Sequence, residues 1–186
     1  WLETALERVL AELSPGSLVV EANAGVGAHS LPIAAAIGDA GDLIAFEPRH
    51  PHRRMLENNL RAHRLRNATV LERRLAGNGV AAEKANADTL DDLALARLDV
   101  LVVHDGPDVL ASILEGGNET IWRCRPRIFG IGAEPSTLHD AASRARDFGY
   151  RVEILAMPVH SQGNFNRTEQ DPTNGASCAL MIAMPE

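Results

Sequence analysis

The amino-acid sequence predicts an α/β fold, a doubly wound and mostly parallel sheet with helices on both faces. Three observations carry that expectation. Short apolar runs of the kind found in strands covered on both sides, such as Leu18-Val19-Val20 and Leu101-Val102-Val103, alternate with helix-length stretches. The first run ends on a carboxylate, Glu21, and a turn Asn23-Ala24-Gly25-Val26-Gly27 carries the chain into a helix. The last two runs, 150–157 and 177–184, have no helix between them and are expected to pair antiparallel, so that the last strand opposes the others.

The first element in chain order is a helix within residues 1–14. Its apolar positions Leu2, Leu6, Val9, Leu10 and Leu13 recur at helical spacing until Ser14-Pro15-Gly16 stops them. Strand one runs from Ser17 into Glu21, and a helix over 28–37 lies under the glycine turn. Strand two covers 42–46, the next helix 51–64 and strand three 68–72. Residues 76–86 show no clear period and are expected to form an irregular loop or short hairpin. Thr89 opens a short helix, with Asp92 placed three residues later as its capping partner. Residues 98–103 form a buried central strand, 109–119 a helix, 127–131 a strand, and 136–148 a helix ended by Gly149. The eighteen residues 158–175 that join the last two strands are many for a hairpin, and long loops in small domains often bind ligands. His160, Asn164 and Asn166 are therefore candidates for substrate contact, the alternative being a loop that is polar only because loops are.

The stretch from Leu18 to Pro48 is the chemically informative one. Gly25 and Gly27 remove Cβ atoms where the backbone must turn sharply and where a ligand can approach it, and Asn23 tolerates a positive φ. Such glycines also serve purely structural turns. The second strand ends at Glu47, placed to accept two hydrogen bonds from a ribose diol, as acidic residues do in doubly wound nucleotide folds. Two ligands compete for this pocket: a dinucleotide such as NAD, or S-adenosylmethionine. The spacing departs from G-x-G-x-x-G, and a carboxylate at Glu21 would repel a pyrophosphate but suits the ammonium end of S-adenosylmethionine. Methyl transfer is thus favoured, and an NAD-dependent oxidoreductase is the weaker alternative.

These segments carry a family resemblance. The order Val20 to Gly27, then Phe46-Glu47-Pro48, Leu56-Glu57-Asn58-Asn59-Leu60, Thr89-Leu90-Asp91, a strand ending at Asp105, and Arg125-Pro126-Arg127-Ile128 running to Glu134 resembles the FkbM family of S-adenosylmethionine-dependent methyltransferases. The likeness covers nearly the whole chain. It implies a seven-stranded Rossmann-like sheet and O-methylation of a sugar or natural-product hydroxyl. It also implies a cofactor site of Glu21, Asn23, Ala24, Gly25, Gly27, Glu47 and Pro48. Asp105 matches the aspartate that the family keeps after strand four and is the first catalytic candidate. His104 beside it is the second, as a base or as a satisfied core histidine, since successive strand residues face opposite ways. Glu134 is expected either to bind substrate hydroxyls or to cap the following helix. Two departures stand out: asparagine and glycine are exchanged in the first turn, and the family's Lys-x-Asp-x-Glu-Gly reads Val103-His104-Asp105-Gly106-Pro107-Asp108 here. They motivate an alternative function, a catalytically silent methyltransferase-like binding domain.

Composition bounds the remaining choices. At 186 residues the chain can bury about 70% of its unfolded surface and is expected to form one domain over 1–186. A net charge of -7 and 4% aromatic residues disfavour a nucleic-acid partner. No apolar run approaches the roughly twenty residues that span a bilayer. A small-molecule or glycan acceptor is expected, with homo-oligomers left open. The basic residues between Arg49 and Arg66 suit a solvated helix face or a surface for an acidic partner. Cys124 and Cys178 lack a Cys-x-x-Cys partner and are expected to be reduced, buried thiols; no cluster has metal-ligand spacing. The chain opens at Trp1 with no charged-then-apolar leader, so it is expected to be a trimmed domain with targeting information outside it and a cytoplasmic location.

Overall fold

Alternation of side chains along the strands builds the molecule. In the computed structural model, which describes residues 3–79, 86–104, 108–160, 171 and 173–186, β1 (Leu18–Ala22) sends Val19 to one face and Val20 to the other. Strand β6 (Val100–His104) repeats this, with Val100 and Val102 facing one way and Leu101 and Val103 the other. The first face is covered by α1 (Glu3–Ala11), α2 (Ser30–Ile37) and α3 (His50–Ala62), through Ala5, Val9, Ile33, Ile37, Leu56 and Leu60. The second is covered by α4 (Val109–Glu115), α5 (Asn118–Cys124) and α6 (His139–Asp147), through Leu110, Ile113, Leu114, Ile121, Ala142 and Ala145.

The remaining main strands are β2 (Asp42–Phe46), β3 (Ala68–Leu71), β7 (Arg127–Gly132), β8 (Tyr150–Pro158) and β9 (Ser177–Pro185). The seven lie in the order β3-β2-β1-β6-β7-β9-β8. All neighbours pair parallel except β9, which runs antiparallel to both β7 and β8. The expected doubly wound sheet with an antiparallel last strand is therefore present. Its order reverses between β1 and β6, which places a ligand crevice at their carboxyl ends.

Several elements differ from the periodicity reading. Residues 76–86 were expected to be a loop or hairpin. Residues 80–85 of that stretch lie outside the described residues; on either side of it β4 (Arg74–Leu75) and β5 (Ala87–Asp88), which the periodicity did not mark, pair parallel in a separate two-stranded sheet. The single helix expected over 109–119 is two. A Cβ on Gly116 would lie 2.7 Å from the Ala76 carbonyl and one on Gly117 2.7 Å from Leu90, so the glycines mark backbone packed against a neighbouring segment. Asp91 then receives the Glu119 and Thr120 amides at 3.1 and 2.8 Å and caps α5 across the fold. The helix expected over 51–64 stops at Ala62 because Arg64 takes a left-handed φ of 60°, and it starts one residue early with Pro51 in its first turn. The helix expected over 136–148 begins as a 3-10 turn, Pro135–Leu138, before α6. Thr89 and Asp92 do form the reciprocal cap, at 2.8 and 3.1 Å, but around a single 3-10 turn. Both cysteines are free; Cys178 is buried and Cys124 only half-buried. No helix among the described residues is long and apolar enough to cross a membrane.

Candidate functional site

Strand alternation decides which side chains meet above the sheet. Glu21 shares the parity of Val19, Glu47 that of Leu43 and Ala45, and His104 that of Val100 and Val102, so all three reach the α1–α3 side. There Glu21 and His104 border a cleft of about 290 Å³ lined by Glu21, Asn23, Ala24, Gly25, Val26, Ala28, His29, Arg49, His52 and His104, and Glu47 bonds to two of its lining residues, Gly25 and Arg49.

The turn is held from three directions. Asn23 adopts a φ of 60° and donates its amide to the His104 carbonyl at 2.7 Å, joining the ends of β1 and β6. The Ala24 amide donates to the Phe46 carbonyl at 3.0 Å, which joins the turn to β2. Asn59, from the paired asparagines of α3, donates to the Val26 carbonyl at 2.9 Å. The two glycines do different work. A Cβ on Gly27 would come within 2.6 Å of both Leu31 and Leu56, so this glycine lets α2 and α3 close on the turn. A Cβ on Gly25 would meet nothing within 4 Å, so open space stands over the turn there.

Two fully buried carboxylates flank that space. Glu21 accepts a hydrogen bond from the Ser30 hydroxyl at 2.5 Å on one oxygen, and its other oxygen lies 2.8 Å from His104 Nε2. Both oxygens are thus engaged by the protein. With a proton on Nε2 the ring donates to Glu21, and in that tautomer Nδ1 is the acceptor nitrogen. His104 is 14% exposed, and its ring meets His29 edge-on at 4.6 Å.

Glu47 has no spare acceptor position. Its Oε1 takes the Arg49 amide and Nε, both at 2.8 Å, and its Oε2 takes the Gly25 amide at 2.8 Å and Arg49 Nη2 at 2.9 Å. Burial alone would push this carboxyl up; the hydrogen bonds and charge of Arg49, with the Gly25 amide, outweigh it and hold it below the ordinary range. His52, also in the cleft, has a buried Nδ1 without a hydrogen-bond partner among the described residues.

Of the residues expected at the site, Glu21, Asn23, Ala24, Gly25 and His104 line the cleft, and Glu47 underlies it through Gly25 and Arg49. Gly27 acts from behind the turn, and half-buried Pro48 links Glu47 to Arg49. Glu134 is exposed at the end of β7 and is not among the lining residues; its backbone carbonyl accepts the Thr137 amide and hydroxyl at the start of the 3-10 turn. His160 follows β8 and lies outside the cleft lining as well. Asp105, Asn164 and Asn166 lie outside the described residues. Arg49, His52, His29 and Ser30 were not anticipated as site residues. Only the position of Arg49 just after Phe46-Glu47-Pro48 hints at its role in the sequence.

The sequence matches no protein-family model. No curated protein matches it either. Solved structures do. Precorrin-6y C5,15-methyltransferase from Geobacter metallireducens superposes with a TM-score of 0.71 over 99% of this chain and 87% of its own, at 18% identity. The fold is the class I methyltransferase fold. A SAM-dependent O-methyltransferase from Thermotoga maritima gives 0.68 over 100% and 66% at 14% identity. Magnesium protoporphyrin IX methyltransferase from Synechocystis, solved with bound SAM, gives 0.63 over 99% and 79% at 13% identity. None of these likenesses points to the FkbM family in particular.

Proposed function

We propose that this chain is an S-adenosylmethionine-dependent O-methyltransferase of FkbM type, acting in the cytoplasm on a hydroxyl of a small-molecule or glycan acceptor. One observation carries the reading. At the carboxyl ends of β1 and β2 the protein places two fully buried carboxylates, Glu21 and Glu47, on either side of a turn with open space over Gly25. Apolar residues would serve the fold more cheaply there, since a buried charge must be held by several partners. The class I fold and the FkbM-like motifs then select the nucleoside cofactor that such a site suits.

The residues fit that cofactor. Gly25 admits a close backbone approach, Glu47 offers a ribose-binding carboxylate, and the orphaned His52 Nδ1 supplies a further polar contact. When bound, S-adenosylmethionine supplies an electrophilic methyl group. His104 Nδ1 takes the hydroxyl proton of the acceptor, while Glu21 holds Nε2–H and so keeps the ring in the tautomer that can accept it. Asp105, matched through the family resemblance, and Glu134, His160, Asn164 and Asn166 toward the acceptor belong to the same reading.

Calorimetric titration with S-adenosylhomocysteine, with NADH as the control, tests it. Micromolar binding of the first alone supports the assignment and justifies a hydroxyl-acceptor screen. Binding of NADH instead moves the chain to hydride transfer. Cofactor binding without turnover across a glycan and small-hydroxyl panel would favour the silent binding domain that the altered strand-four motif suggests.

A further inference from the structure

The basic stretch that ends at Arg66 divides in the structure. Arg53 spans Glu57 and Glu72 at 3.0 and 2.9 Å. Arg61, Arg64 and Arg66 are exposed, and among the described residues none of them forms an ion pair. These three arginines stand round a cavity of about 380 Å³ whose apolar wall is Leu60, Leu65, Ala68 and Val70. Glu57, also in the lining, has Arg53 as its counter-ion. The uncompensated charge at the cavity is therefore positive.

The cavity lies along a free sheet edge. Strand β3 is outermost, and its bonds to β2 come from alternate residues: the Asn67 carbonyl accepts the Leu43 amide, and the Leu71 carbonyl accepts the Glu47 amide. A parallel ladder repeats every two residues, so Ala68 and Val70 turn their amides and carbonyls to the side where no strand lies. The same two residues line the cavity. Unpaired strand groups recruit another strand unless charge guards the edge. Cations guard it against basic strands and favour one that carries carboxylates.

We propose that the β3 edge is a docking site for an extended acidic segment of a partner protein. The segment adds a strand beside β3, sets apolar side chains against Leu60, Leu65 and Val70, and sets carboxylates against Arg61, Arg64 and Arg66. Charge complementarity selects this occupant, since a second copy paired through its own β3 would bring two sets of arginines together. The cavity shares no lining residue with the cleft at Gly25, so the docking site does not rest on the methyl-transfer reading.

Fluorescence anisotropy tests it with a labelled octapeptide of alternating valine and glutamate, and with the same peptide carrying lysine for glutamate. The wild-type chain should bind the acidic peptide at micromolar concentration and not the basic one. The double variant Arg64→Glu, Arg66→Glu should weaken binding at least about ten-fold. Val70→Pro removes an amide that faces away from β2, so the fold should hold while peptide binding falls by about ten-fold. Circular dichroism and thermal melts show whether each variant is folded. If Val70→Pro is not, peptides N-methylated only at valine or only at glutamate serve, because alternate amides face one edge and a single one of the two should lose binding. No binding of the acidic peptide by the wild type, or equal binding of the basic one, would overturn the proposal. So would binding that falls with the arginines but ignores Val70→Pro and both N-methylated peptides, which marks a plain anion site. A wild-type dimer in sedimentation that Val70→Pro dissociates would overturn it too, with a second copy as the occupant.

Discussion

Glu47 shows how one side chain can join stability to function. Its folded-state pKa lies below the ordinary carboxylate value, so at intermediate acidity the native protein holds fewer protons there than the unfolded chain does. The stability this contributes is complete above the ordinary value of 4.5 and is lost as pH falls through the lower folded value. Glu47→Gln should therefore cost about 2 kcal/mol at neutral pH, and the cost should shrink as urea unfolding is repeated toward pH 3. A gap that stays constant with pH would mean that the hydrogen bonds matter and the charge does not. The sequence showed that an acid ends strand two, because strand endings and residue types are local. It did not show that Arg49, two residues on, folds back over that acid, because a side-chain direction is set by the surrounding turn and not by the dipeptide.

At the scale of elements, the turn between β1 and α2 separates two uses of glycine. Gly27→Ala must place a methyl group within 2.6 Å of Leu31 and Leu56 at a φ of 96°, so it should destabilise the protein by about 2–4 kcal/mol. Gly25→Ala meets only open space at a φ of 60° and should cost about 1 kcal/mol, while weakening S-adenosylhomocysteine binding. Thermal melts and titrations on the pair check this; a Gly25→Ala variant that binds normally would place the ligand away from the turn. Both glycines read alike in the sequence. What distinguishes them is the packing of α3, an element that follows the turn by more than twenty residues. The break between α4 and α5 was missed for a similar reason: Gly116 and Gly117 lie inside a pattern of helical period, and their purpose appears only against Ala76 and Leu90.

Over the whole molecule, two cores on opposite faces of one sheet should share the work of stability. Phe129, fully buried on the α1–α3 side, should cost about 3–5 kcal/mol when replaced by alanine. Thr69→Ala on the exposed edge strand β3 should change stability by less than about 0.5 kcal/mol in the same urea titration. A small loss at Phe129 would mean that its face of the sheet is loosely packed. The sequence by itself determined the succession of the seven main strands, the doubly wound class, the antiparallel end of the sheet and the acids that close strands one and two. Each of these follows from apolar period, glycine punctuation and residue type, which are properties of neighbours along the chain. Only the tertiary structure decided that Glu21 binds His104 and Ser30, that Arg49 covers Glu47, and that β4 and β5 form a second sheet. Those outcomes depend on residues as far apart as 83 positions meeting at one end of a sheet, where parity, burial and the shortage of buried hydrogen-bond partners select the contacts.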